Sequence, residues 1–270
     1  MGNRLINLLI IVVIFLVFKN WILSDVISSG DFGYYSPEHV EGIKFLGVWD
    51  PTAGGLGANV LSSLWLKAYS TFVVKFSLFL GWNNYVHLFW YFPYVIFSFL
   101  SATFLFKSLF KNNCLSWLGG FIYTANTYSL MVVAGGQMGV ALAYSISPLV
   151  LLAFIKTITR FALESKHFQS NLTSSAITGL LFTVLVMFDL RLAYIVIVAV
   201  VLYQVVSIKY EESKKSIRSI LYPVLYALII PLGLTGLLHF FLVNACAAFR
   251  RGSGRSVGRY LYHGWGSKIF

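Results

Sequence analysis

Apolar runs of about 20 residues with almost no charge recur along this chain, and they leave few folds open. Inside hydrocarbon each backbone N–H and C=O must find its partner within the structure, so a run of that length crosses as a helix. The first run, residues 4–23, contains LINLLIIVVIFLVF. It is too long and too weakly basic at its start for a signal peptide, and no small-residue cleavage site follows. It therefore reads as an uncleaved anchor. Further spans are expected at residues 85–106, 114–133, 140–158 and 220–245. A longer run, 172–208, is interrupted by Asp189-Leu190-Arg191. Two charges in the middle of one long helix are costly in lipid, so a tight helical hairpin with Asp189 and Arg191 at its tip is expected. The fold class predicted is all-α, a polytopic transmembrane bundle of about seven spans. Residues 59–82 carry aromatics but are interrupted by Lys67 and Lys75, as suits a short helix lying along the membrane surface.

Composition agrees with that class. Hydrophobic residues make up 58% of the chain and charged residues 11%, against about 25% charged in soluble domains. The net charge of +11 does not point to nucleic acid. The basic residues lie between apolar runs, where they meet lipid headgroups and set topology, and they form no basic face. With the N-terminus in the cytoplasm, the inner segments hold Arg4, Lys107, Lys111, Lys156, Arg160, Lys166, Lys209, Lys214, Lys215 and Arg218. The outer segments before residue 246 hold Lys44, Lys67, Lys75 and Arg191, with Lys19 near the outer end of the first span. This bias predicts a multi-pass protein of the cell membrane whose first large loop, residues 24–84, faces outward. Residues 1–245 then form the membrane domain. The stretch 246–270 departs in texture, being rich in Gly, Ser and Arg, and its basic residues run against the bias. It reads either as a flexible basic tail or as the end of a truncated or frame-shifted reading frame.

Polar chemistry concentrates in the first outer loop. Five of the nine acidic residues, Asp25, Asp31, Glu38, Glu41 and Asp50, fall within 26 positions there. Ser28-Ser29-Gly30 predicts a turn holding Asp31, and Ser36-Pro37 a short helix that carries Glu38, His39 and Glu41. A loop carboxylate can take the proton of an attacking sugar hydroxyl. Such acids are also commonly just solvated, with Asp50-Pro51 capping a turn. Tyr34, Tyr35, His39 and Trp49 beside the acids favour carbohydrate, which binds on aromatic platforms flanked by carboxylates.

One anchor, a large outer loop opening with an acid, an interfacial helix and then a bundle of spans resembles the GT-C class of glycosyltransferases. Gly47-Val48-Trp49-Asp50-Pro51 followed by Gly54-Gly55-Leu56-Gly57 is similar to the corresponding loop of the arabinofuranosyltransferase-type branch. The resemblance covers roughly residues 1–245. It implies a polyprenyl-phosphate sugar donor, a glycan or glycoprotein acceptor of the cell envelope, and Asp31 as the first-loop catalytic acid. Some relatives hold a divalent metal with a second acidic motif between the third and fourth spans. Here that loop is Ala134-Gly135-Gly136-Gln137-Met138-Gly139, without an acid, so neither metal nor other cofactor is predicted.

Other substrate-binding candidates are Arg191, Asp189, Asp50, Glu38, His39 and Gln137. A guanidinium grips phosphate through two parallel hydrogen bonds, so Arg191 would hold the donor phosphate with Asp189 orienting it. The alternative is an ion pair within the hairpin. The Gly-Gly-Gln turn brings backbone amides toward a ligand, or simply links two helices. His87 and His239 lack a second ligand at metal spacing and read as interhelical hydrogen-bonding or interfacial groups. Pro93, Pro148, Pro223 and Pro231 are expected to kink helices. Cys114 and Cys246 suggest neither a disulfide nor a zinc site. Rival functions are a transporter or flippase of lipid-linked substrates, which would place polar groups on broken helices, and a noncatalytic membrane scaffold.

Overall fold

The computed structural model describes residues 2–23, 49–50, 58–59, 69, 73, 76–163, 168–210 and 233. These are almost wholly helical. Helix α1 is Gly2–Leu23. A two-residue pair of strands follows, β1 (Trp49–Asp50) and β2 (Ala58–Asn59). They run antiparallel, with Trp49 opposite Asn59 and Asp50 opposite Ala58. Short helices α2 (Ser77–Leu80) and α3 (Trp82–Val86) lead through a π-helical turn, His87–Tyr91, into α4 (Phe92–Phe110). Then come α5 (Asn113–Thr124), α6 (Thr127–Ala134), α7 (Met138–Leu163), α8 (Phe168–Phe188) and α9 (Leu190–Tyr210). Among the described residues, two helical stretches are long and apolar enough to cross a membrane, Asn84–Phe110 and Met138–Arg160. The short helix expected near Pro37, the last expected span and the tail lie outside the described residues, as do His239, Pro223 and Pro231.

The span expected over residues 114–133 is not one helix. It breaks at Ala125-Asn126 into α5 and α6. Asn126 leaves the helical conformation and its Oδ1 accepts the N–H of Ser129 at 3.0 Å, which makes it the N-cap of α6. Ser129 Oγ in turn donates to the Thr124 carbonyl at 2.8 Å, so the backbone freed by the break keeps its partners. A single amide in an apolar run hardly alters its hydropathy, and the capping chemistry overrides it.

α7 is the central post, packing against α4, α8 and α9, and α8 and α9 also pack on each other. One apolar core gathers Phe18 and Trp21 of α1, the aromatics Tyr85, Trp90, Tyr91 and Tyr94, and Met138, Ala141 and Leu142 of α7. A second joins Val150, Phe154 and Ile158 of α7 to Phe182 and Leu185 of α8 and Val196 and Val200 of α9. Tyr144 and Phe188 pack against both. Between α7 and α8, Thr157 Oγ1 lies 2.8 Å from Thr178 Oγ1 and 2.9 Å from Ser174 Oγ, a hydroxyl ladder that links the helices without charge. α4 and α5 approach closely because α5 carries Gly119-Gly120. A Cβ on Gly120 would stand 2.2 Å from Thr103 Oγ1 and 3.0 Å from the Phe99 carbonyl oxygen.

Both described prolines leave a helical carbonyl without its N–H donor four residues on, and in both cases a tyrosine from elsewhere supplies one. Tyr69 donates to the Phe89 carbonyl at 2.6 Å, the acceptor that Pro93 cannot reach. Burial pushes the Tyr69 hydroxyl well above its ordinary range, so it stays a donor. Tyr123 donates to the Tyr144 carbonyl at 2.8 Å, the acceptor that Pro148 orphans, and Ser147 Oγ lies 2.9 Å from the same oxygen. Ser101 Oγ donates to the next carbonyl, that of Ser145.

Candidate functional site

The joint between α8 and α9 is one residue long, and that residue is Asp189. Its Oδ1 accepts the N–H groups of Arg191 at 2.8 Å and Leu192 at 3.1 Å, capping α9, where the helix dipole favours a negative charge. The same carboxylate receives Arg191: Nε at 3.1 Å and Nη2 at 2.7 Å both reach Oδ2. Asp189 is thus spent on structure. Its side chain is 9% exposed, and the Arg191 side chain 73%. The ion pair foreseen as the alternative for the two residues is the arrangement present, but it holds Arg191 by one edge only. Nη1 has no hydrogen-bond partner among the described residues, and the side chain as a whole is exposed.

Aromatic side chains surround this joint. Phe188, immediately before it, meets Tyr69 edge-on at 5.2 Å, and Tyr69 meets Trp90 of the π turn in the same way at 5.2 Å. On the other side Tyr128 of α6, 50% exposed, lies within electrostatic reach of Arg191. Tyr128 also packs on Tyr144, which stacks flat on Tyr123 with ring centroids 4.2 Å apart and planes 3° from parallel. Asn126 Nδ2 ties this stack together, donating to the Tyr123 carbonyl at 2.6 Å and to the Tyr144 hydroxyl at 2.7 Å. An exposed guanidinium with a tyrosine hydroxyl in electrostatic reach can bind an anion that carries a hydroxylated ring. Phosphate and sugar groups have those properties.

The other sequence candidates are distributed differently. Asp31, Glu38 and His39 lie outside the described residues. Asp50 is placed by its backbone alone, in β1 opposite Ala58, while Pro51 and the Gly-rich stretch after it lie outside the described residues. Gln137 is exposed on the turn between α6 and α7. Its N–H donates to the Val132 carbonyl at 3.0 Å and its carbonyl receives Ala141 N–H at 3.0 Å, while Gly136 supplies the left-handed φ of 78°. Those bonds belong to a helix-linking turn. Among the described residues no group of three or more His, Cys, Asp or Glu could hold a metal ion.

Two features carry little signal in the sequence. The π turn has no signal of its own apart from the proline that follows it, although such turns are frequent at functional sites. His87, on that turn, is buried, and its Nε2 has no hydrogen-bond partner among the described residues. Comparison with protein-family models, curated proteins and solved structures finds no match for this chain.

Proposed function

We propose that the chain is the membrane domain of a glycosyltransferase that moves a sugar from a polyprenyl-phosphate donor to a glycan or glycoprotein of the cell envelope. It is read as a seven-span protein, N-terminus in the cytoplasm, with the first large loop outside. The observation that carries the reading is Arg191, paired with Asp189 through Nε and Nη2, otherwise exposed, and within electrostatic reach of Tyr128. In the reaction, Asp31 takes the proton of an acceptor hydroxyl as its oxygen attacks the anomeric carbon. The bond from that carbon to the phosphate oxygen breaks, and Arg191 receives the charge that develops on the departing polyprenyl phosphate. The Trp49-Asp50-Pro51 motif supports the reading through its resemblance to the first loop of such enzymes.

Sugar transfer from a radiolabelled polyprenyl-phosphate donor, measured in membranes holding the full chain, tests it. Asp31→Asn is expected to lower transfer by about 10²- to 10⁴-fold, the usual worth of a general base. Arg191→Lys keeps the charge but loses the planar fork, and is expected to retain more activity than Arg191→Ala. Unchanged transfer in Asp31→Asn would sink the base assignment. One observation favours a second reading, a transporter of lipid-linked substrates: the helix broken at Asn126 around a polar cluster. Movement of the labelled lipid across the bilayer without covalent transfer would establish that reading instead.

A further inference from the structure

A groove of about 380 Å³ runs between the end of α4 and the length of α5, lined by Phe106, Phe110, Leu115, Leu118, Ile122 and Tyr123. Its wall is apolar throughout. The Phe106 and Phe110 rings stack at 5.8 Å on one side. Gly119 forms part of the floor, and a Cβ there would stand 2.5 Å from the Phe106 ring, so the glycine keeps the groove's present shape. From Leu115 to Tyr123 the groove follows about 12 Å of helix.

Its open end has a different character. α4 stops at Lys111, which adopts a left-handed φ of 55° and returns its N–H to the Lys107 carbonyl at 3.1 Å. Lys107 and Lys111 are both exposed and stand four residues apart, an arrangement in which like charges repel. The chain then turns at Asn112, whose side chain caps α5, and Leu115 begins the groove. An apolar groove thus begins next to a turn bearing two exposed lysines, Lys107 and Lys111 following the lining residues Phe106 and Phe110 in the chain. Its complement is a molecule with one anionic head and a hydrocarbon chain.

We infer that this groove binds an anionic phospholipid, its phosphate between Lys107 and Lys111 and one acyl chain along α5 toward Tyr123. The site rests on the membrane-spanning reading, under which the Lys111 turn meets the negatively charged cytoplasmic leaflet. It is separate from the Arg191 site.

Native mass spectrometry of the delipidated full chain, titrated with phosphatidylglycerol or phosphatidylcholine, tests the inference. One phosphatidylglycerol is expected to bind in preference to phosphatidylcholine, and Lys107→Ala with Lys111→Ala is expected to remove the preference, about fivefold per lysine. Leu118→Trp, at a side chain 45% exposed, obstructs the channel and is expected to weaken both lipids. Equal binding of the two lipids by the unaltered chain would overturn the site. So would a preference that survives loss of both lysines, or phosphatidylglycerol binding indifferent to Leu118→Trp. Release of the chain from membranes by alkaline carbonate is a different failure, one that removes the membrane-spanning reading itself.

Discussion

At the scale of single residues, polar side chains here stand where the backbone would otherwise be unpaired. Asn126 combines a helix cap with two donated bonds, so Asn126→Ala is expected to destabilise the protein by about 1–3 kcal/mol, more than a cap alone. Tyr123→Phe and Tyr69→Phe each remove one hydroxyl from an orphaned carbonyl and are expected to cost about 0.5–1.5 kcal/mol, more if no water replaces it. Thermal unfolding in detergent checks all three. Asp189→Asn preserves the cap of α9 and is expected to be milder than Asp189→Ala, since the ion pair to the exposed Arg191 adds little stability of its own. That Asp189 and Arg191 act together was legible in the sequence, because two charges inside an apolar run demand a partner or an interface. The capping role of Asp189 was not, since it depends on the turn of the backbone at one residue. Nor did sequence show that Asn126 would end a helix, because an asparagine can sit within a membrane helix as readily as cap one.

Among the elements, the contact of α4 with α5 is set by Gly120. Gly120→Ala is expected to lower stability by about 1–3 kcal/mol, because the Phe99 carbonyl that the new methyl meets belongs to a helix backbone and cannot rotate away. Gly119→Ala meets only the Phe106 ring and is expected to be milder; the same unfolding measurement ranks the two. The prolines allow a sharper test. Pro148→Ala restores the N–H that the Tyr144 carbonyl lacks, so Tyr123→Phe should cost less in that background than in the natural chain. A double-mutant cycle should give a coupling of about 0.5–1.5 kcal/mol, and a coupling near zero would mean that the hydroxyl does not replace the missing donor. Helix existence was readable from the apolar runs, and the interruption was legible to within the three residues Asp189-Leu190-Arg191, of which Asp189 alone forms the joint. The π turn and the break at Asn126 were not readable, because hydropathy records how apolar a segment is and not how its backbone bonds are shared.

For the molecule as a whole, orientation is the first prediction. If the N-terminus is cytoplasmic, Cys114, exposed beside the Lys111 turn, should react with a membrane-impermeant thiol reagent only after cells are permeabilised, in a chain carrying Cys246→Ser. Reaction in intact cells would reverse the topology. The charge bias that argues for this orientation was visible in the sequence, whereas the two separate cores were not, since both draw on distant residues of one helix. That division has a mechanical consequence. α7 gives Met138, Ala141 and Leu142 to one core and Ala143, Val150, Phe154 and Ile158 to the other, so the change of core falls between Leu142 and Ala143, ahead of Pro148. The helix thus serves both cores, and near their boundary the Tyr144 carbonyl that Pro148 leaves without an N–H is held by the Tyr123 and Ser147 hydroxyls together. Because Ser147 also reaches that carbonyl and the Tyr123 and Tyr144 rings stay stacked, loss of the Tyr123 hydroxyl alone leaves the two cores joined.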